Sequence, residues 1–156
     1  MNALPSARDR ALAAHQAGRR EEAQGLYAEA LARDPRDAGA WTNLGALFRS
    51  TGRHDMALRA QERAHALDPA APGVRNNLAN ILQDTGDSER SLALRRGLMR
   101  EAPSDPMHVA MAGKALRTLG RLDEGIRLLE EGRRRFPGFP EMTIQLALTQ
   151  LMAGDY

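Results

Sequence analysis

Glycine and proline recur with one fixed period along this 156-residue chain. Glycines stand 34 residues apart at Gly18, Gly52, Gly86, Gly120 and Gly154, and prolines keep the same step at Pro35, Pro69, Pro103 and Pro137. Glycine can adopt the positive φ angle that ends a helix, and the residue before a proline is disfavoured in a helix. Two ladders in phase therefore predict a tandem repeat of one short unit.

Each period has room for two short helices. The chain holds two valines and three isoleucines against abundant alanine, leucine, arginine and glutamate, a balance that favours an all-α fold. First helices are predicted near 5–17, 39–50, 73–84, 107–118 and 141–153, and second helices near 20–33, 54–67, 88–101 and 122–135. Helices of this length are marginal alone, so we expect about nine helices stabilised by stacking on their neighbours.

The segment 38–71 carries the most specific pattern. Its first half has the spacing W-x2-L-G-x2-F, and its second half continues with small residues and a proline, at Trp41, Leu44, Gly45, Phe48, Gly52, Ala57, Ala64 and Pro69. This pattern resembles the tetratricopeptide repeat family. The resemblance implies a right-handed solenoid of antiparallel helix pairs. Small residues are expected where helices cross, at Ala11, Gly45, Ala79, Gly113 and Ala147, and again at Ala23, Ala57, Ser91 and Gly125.

The period divides the chain into a single array. Its repeats are predicted at 4–37, 38–71, 72–105 and 106–139, with a partial fifth at 140–156. Apolar residues surround more than one face of the last predicted helix, at Met142, Ile144, Leu146, Ala147, Leu148, Leu151 and Met152. We therefore expect a fragment of a longer protein, and self-association through Ile144, Leu148, Leu151 and Met152. The alternative is a natural C-terminal capping helix, although such caps normally have a polar outer face.

Composition and motifs argue against several classes of function. The net charge is +2 with acids interspersed among the bases, which does not resemble a nucleic-acid footprint. No apolar run approaches the ~18 residues of a membrane span. The absence of cysteine is compatible with a reducing compartment, and we expect a cytoplasmic protein.

No catalytic or metal-binding constellation is recognisable. Gly113-Lys114 lies within a predicted helix and is followed by alanine, so it is not a phosphate loop. His54 and His65 share a helix but are too far apart along it to bind one metal. We expect no enzymatic activity, no cofactor and no metal.

Any function then belongs to the surface. In the family, successive first helices line a concave groove, and the resemblance implies that an extended peptide or partner segment binds there. The groove-facing places of each repeat supply the candidate peptide-binding residues Asn43, Asn76, Asn77, Asn80, Arg49, Met111, Lys114 and Arg117. No set of groove places reproduces the Lys/Asn clamp that binds chaperone carboxylates.

The sixth place of each repeat is similar to the asparagine ladder of O-GlcNAc transferase. That place holds Asp9, Asn43, Asn77, Met111 and Gln145, so the ladder is partial. A carboxamide both donates and accepts, so it can pair with a peptide backbone of any sequence. Met107 and Met111 would add an adaptable apolar pocket, and Arg49, Lys114 and Arg117 would favour an acidic group.

Two other interpretations remain open beside a peptide-binding scaffold. The array could assemble with copies of itself through its last helix. Arrays that end in a leucine-rich helix and G-D-[FY] also look similar to those that precede bacterial glycosyltransferase domains. On that interpretation the chain would present substrate to a catalytic domain beyond Tyr156.

Overall fold

The structure is a computed structural model that describes residues 5–154. Within that range the chain forms nine α-helices and no strand, which confirms the predicted all-α fold. None of these helices is long and apolar enough to cross a membrane. In chain order they are α1 (Ala7–Gln16), α2 (Arg20–Arg33), α3 (Ala38–Ser50), α4 (His54–Leu67), α5 (Pro72–Asp84), α6 (Ser88–Glu101), α7 (Pro106–Thr118), α8 (Leu122–Arg135) and α9 (Pro140–Ala153).

The helix ends differ from the prediction only in the first helix of each repeat. The second helices α2, α4, α6 and α8 have the predicted bounds. Four first helices begin one residue early, at Ala38, Pro72, Pro106 and Pro140, and three of these residues are prolines. Proline suits the first position of a helix, because its N–H would be unpaired there and its φ angle is already helical. The predicted start of α1 at residue 5 was also wrong, since Ser6 caps that helix from outside.

The periodic glycines end the first helices, as predicted. All five have φ between 71° and 90°, and no other residue within the range 5–154 has a positive φ. After α3, the N–H of Gly52 donates to the carbonyl of Arg49 (3.1 Å), and the N–H of Arg53 donates to that of Phe48 (2.9 Å). These bonds satisfy carbonyls at the end of α3 and turn the chain towards α4.

Short polar side chains begin several helices. The Asp37 carboxylate accepts a hydrogen bond from the N–H of Ala40 (2.9 Å) at the start of α3. Asp87 does the same for α6 and Asp105 for α7. Each carboxylate pairs an N–H that the helix itself leaves free and lies at the positive end of the helix dipole.

The helices group into two compact units, of which the first ends at Ile81 and the second begins at Leu82. In the first unit α1 packs on α2, α2 on α3, and α3 on α4. In the second unit α6 packs on α7, α7 on α8 and α9, and α8 on α9. The division into five repeats remains an interpretation of the 34-residue period.

Small residues allow the closest helix crossings. A Cβ added at Gly45 would lie 2.5 Å from Gln61 Nε2, and one added at Gly113 would lie 2.5 Å from Leu129 Cδ2. Of the residues expected at crossings, Ala147 alone is exposed, and the expectation was wrong for it. It lies on α9, the last helix of the described range, on a side that no described helix covers.

Candidate functional site

Two asparagines in the first unit have free side-chain amides. Asn43 on α3 and Asn77 on α5 hold the same place in successive repeats, and both are half-buried. Neither amide has a hydrogen bond to another residue within 5–154. Half-buried amides without partners keep their full capacity to donate and accept.

The other polar candidates of the first unit are already engaged. Asn76 and Asn80 lie on α5 and are half-buried, while Arg49 is exposed near the end of α3. Each of these three residues has an interaction within the chain. The structure therefore separates the predicted groove residues of this unit into a free pair and an engaged trio.

In the second unit the candidates lie along α7. Met111, Lys114 and Arg117 are half-buried, and Met107 on the same helix is 42% exposed. Among the residues that the structure describes, neither Lys114 nor Arg117 forms an ion pair. The Nη1 atom of Arg117 is buried and has no hydrogen-bond partner there. Two unpaired cations thus lie next to exposed methionine on one helix.

The last helix separates its apolar residues into two faces. Met142 and Leu146 are buried in the core of the second unit. The predicted self-association residues remain accessible, with exposed fractions of 50% for Ile144, 42% for Leu148, 59% for Leu151 and 60% for Met152. These four hold groove places, as Lys114 and Arg117 do one repeat earlier. They lie on a different side of α9 from Ala147. Residues at the place of Ala147 in earlier repeats pack on the second helix of their repeat.

Sequence reasoning missed a buried polar cluster in the second unit. Arg95 is 2% exposed, and its Nη1 lies 3.4 Å from Nδ1 of His108. Nε2 of His108 lies 3.4 Å from an Asp105 carboxylate oxygen. Burial lowers the pKa of His108, the charge of Asp105 opposes that effect, and the charge of Arg95 adds to it. The period did carry a signal, because Arg95 holds the same place as three other buried residues, Tyr27, Gln61 and Leu129.

The described residues do not suggest metal chemistry. Within 5–154 no three His, Cys, Asp or Glu side chains are grouped closely enough to hold a metal ion. The arrangements that could act on another molecule are therefore surfaces: the free amides of the first unit, and the cationic and apolar faces of the second.

Helix pairs in a 34-residue period with small residues at their crossings define a helical repeat protein. Family models described as tetratricopeptide repeat match residues 8–74 and 106–149. Together these segments span more than two thirds of the chain, which therefore belongs to the tetratricopeptide repeat family. No curated protein matches the sequence.

Solved structures share the fold at low sequence identity. MamA from Desulfovibrio magneticus RS-1 superposes with a TM-score of 0.87 at 17% identity, over 96% of this chain and 84% of that one. MamA from strain AMB-1 gives 0.80 at 23% identity, over 96% of this chain and 81% of that one. YrrB, described as a tetratricopeptide protein with an unusual peptide-binding site, gives 0.83 at 17% identity, over 96% and 77%. Identities this low establish the fold alone.

Proposed function

We propose that the chain is a non-catalytic protein-interaction module, and that its first unit binds an extended peptide through Asn43 and Asn77. The single observation that carries this proposal is the pair of half-buried amides without partners at the same place of successive repeats. A carboxamide can donate to a peptide carbonyl and accept from a peptide N–H at once. Such contacts recognise the backbone and therefore tolerate many sequences.

The spacing of packed helices suits an extended ligand. Neighbouring helices pack at about 8–10 Å, and an extended chain rises about 3.3 Å per residue. One amide per repeat would therefore hold about every third residue of the ligand. YrrB, which shares the fold, is described as having a peptide-binding site, and this supports a similar role here.

The test compares wild type with Asn43→Ala/Asn77→Ala in binding a library of unstructured peptides, measured by fluorescence polarisation. Loss of at least one hydrogen bond of about 1 kcal/mol from each amide should weaken binding by roughly 30-fold or more. Asn43→Asp/Asn77→Asp keeps the shape but removes both donors, so it should weaken binding too. Gln150→Ala on α9 is the control and should bind as wild type. Equal affinities for wild type and the double alanine variant would contradict the proposal.

The second unit offers a surface of different chemistry. Met107 and Met111 supply flexible apolar contact, and Lys114 and Arg117 supply positive charge that no acid within 5–154 neutralises. We propose that this surface favours a segment with an acidic or C-terminal carboxylate group. Lys114→Ala/Arg117→Ala should then lower affinity for peptides that have a free C-terminal carboxylate and no acidic side chain, but not for their amidated forms. An equal effect on both forms would contradict the assignment.

Self-association is a second candidate function, favoured by the exposed apolar face of α9. Four large apolar side chains on one helix form a patch that water solvates poorly. We propose that a second copy of the chain covers it. Sedimentation velocity should show oligomers for wild type and a monomer for Leu148→Glu/Leu151→Glu, while Thr143→Glu, also exposed on α9, should leave assembly unchanged. A monomeric wild type at high concentration would refute this candidate.

The predicted association with a glycosyltransferase remains a hypothesis about a longer gene. A transferase domain encoded after Tyr156 would support it. The peptide-binding surfaces above would then serve to present substrate.

A further inference from the structure

A cavity lies in the first unit, lined by residues that do not hold groove places. It has a volume of about 440 Å³, within the range of ligand pockets. Two aromatic side chains of α3 and four residues of α4 line it: Trp41, Phe48, Met56, Arg59, Ala60 and Arg63. None of these residues holds a groove place, so occupation of the cavity would be independent of peptide binding at Asn43 and Asn77.

Ala60 explains why the cavity is open. The equivalent residue is leucine in the three other complete repeats, at Leu26, Leu94 and Leu128. In the fourth repeat Leu128 lines a cavity of about 190 Å³, which also contains the equivalents of Trp41 and Arg63. The shorter side chain in the second repeat thus accompanies a cavity more than twice as large.

The charge beside the cavity is also specific to the second repeat. Arg63 stands where the first and fourth repeats have Glu29 and Glu131, and Met56 stands where they have Glu22 and Glu124. Arg59 and Arg63 are exposed, and neither forms an ion pair with any residue from 5 to 154. Because they are four residues apart on α4, their guanidinium groups lie on the same side of that helix.

The aromatic lining is held in place by contacts of its own. The indole Nε1 of Trp41 donates to the carbonyl of Pro35 (3.0 Å), so the ring offers the ligand an apolar surface. The Arg53 guanidinium lies 4.6 Å from the centre of the Phe48 ring. A site whose side chains are already ordered loses little conformational entropy on binding.

We propose that this cavity binds an acidic segment of a partner protein, with a large apolar side chain inserted against Trp41 and Phe48. Carboxylates on either side of the inserted residue pair with Arg59 and Arg63, which present forked donors suited to carboxylate oxygens. The apolar cavity supplies the affinity, and the two arginines select against neutral or basic segments. The second repeat alone combines these features within the described chain.

Trp41 provides a direct assay because it is the only tryptophan in the sequence. Its fluorescence is titrated with the peptide Ser-Asp-Asp-Phe-Leu-Asp-Asp-Ser, which contains no tryptophan. Matched peptides replace aspartate by serine or by lysine. We expect a saturable change in emission with the acidic peptide, affinity lower by about tenfold or more for the serine peptide, and weaker binding as salt rises.

Variants locate the binding. Arg59→Glu/Arg63→Glu should weaken the acidic peptide about tenfold or more, whereas Arg133→Glu/Arg134→Glu, an equal charge change at exposed residues of α8, should not. Ala60→Leu should fill the cavity and abolish the fluorescence change, with circular dichroism checking that the helices remain.

Three results would overturn the proposal. They are the absence of any change in Trp41 emission with the acidic peptide, equal affinity for the acidic and serine peptides, and an undiminished affinity in Arg59→Glu/Arg63→Glu.

Discussion

Replacing Gly113 by alanine sets helix propensity against packing, and the structure predicts which one prevails. Alanine is better than glycine in a helix interior by about 1 kcal/mol, which by itself would stabilise α7. However, the new Cβ would lie 2.5 Å, 2.6 Å and 2.7 Å from Cδ2, Cγ and Cδ1 of Leu129. Leu129 is fully buried, so its whole side chain must move into occupied space.

Overpacking of this kind costs about 1–3 kcal/mol. The approach includes the branch carbon of Leu129 as well as its methyl groups, so a change at the tip alone cannot relieve it, and we place the cost in the upper half of that range. The net effect of Gly113→Ala is then a loss of about 1–2 kcal/mol in the free energy of unfolding. Gly25 in the interior of α2 is the matched control, because nothing lies within 4 Å of its added Cβ. Gly25→Ala should gain about 0.5–1 kcal/mol.

Thermal unfolding followed by circular dichroism would compare the two variants. For a chain of this size 1 kcal/mol shifts the midpoint by about 2–4 °C, so Gly113→Ala should melt several degrees below wild type and Gly25→Ala slightly above it. A Leu129→Ala background supplies the decisive comparison. That change alone should cost about 2–5 kcal/mol, and adding Gly113→Ala should then restore stability because the clash is gone. If Gly113→Ala raises the midpoint as Gly25→Ala does, the crossing is not close-packed and the reasoning fails.

Three further predictions concern turns, caps and protonation, each measured by urea denaturation. Gly52→Ala should cost about 1–2 kcal/mol although nothing crowds it, because its φ of 74° disfavours a Cβ, and Gly52→Asn should cost less; equal losses would argue against backbone strain. Asp37→Ala should lower the free energy of unfolding by about 1 kcal/mol, because the N–H of Ala40 loses its hydrogen bond. Arg8→Ala removes only the exposed ion pair with Asp37 (3.0 Å) and should lower it little. A larger loss for Arg8→Ala than for Asp37→Ala would contradict the capping role of Asp37. Since burial holds the pKa of His108 below its ordinary 6.5, the unfolded chain takes up this proton first, and stability should fall as pH drops below about 6.5. His108→Gln should flatten that fall, and an unchanged slope would place its origin elsewhere.

The fold was largely predictable because its determinants are local. A glycine with positive φ and a proline fix the ends of each segment, and their period repeats through the whole chain. The errors in the predicted helix starts include those at Pro72, Pro106 and Pro140. A proline is compatible both with the first position of a helix and with the position before it, so the sequence alone did not decide between them. Ala147 was misplaced because the periodic pattern is the same whether or not a neighbouring helix covers the residue.

The candidate sites were less predictable because they depend on neighbours in space. The sequence does not distinguish Asn43 and Asn77 from Asn76 and Asn80. Only the structure shows that the first two amides have no hydrogen bond within 5–154, whereas Asn76 and Asn80 each have an interaction within the chain. The cavity beside Trp41 follows from one short residue, Ala60, among three leucines at the same place. The effect of Ala60 could not be predicted from the sequence, because the sequence does not show that this residue faces the aromatic side chains of the preceding helix.

The location of the tightest crossings bears on how such a chain can change length during evolution. Gly45 meets Gln61, and Gly113 meets Leu129, and each pair lies within one 34-residue repeat. Gly132 instead meets Met142 across the predicted boundary between the fourth repeat and the partial fifth, with its added Cβ 2.7 Å from the sulfur. Recombination that duplicates or deletes a whole repeat would keep both residues of each internal pair together. It would create new neighbours only at the junctions between repeats. Gene variants that gain or lose one repeat should therefore acquire compensating substitutions at junction residues such as Gly132 and Met142. The residues at their internal helix crossings should stay unchanged.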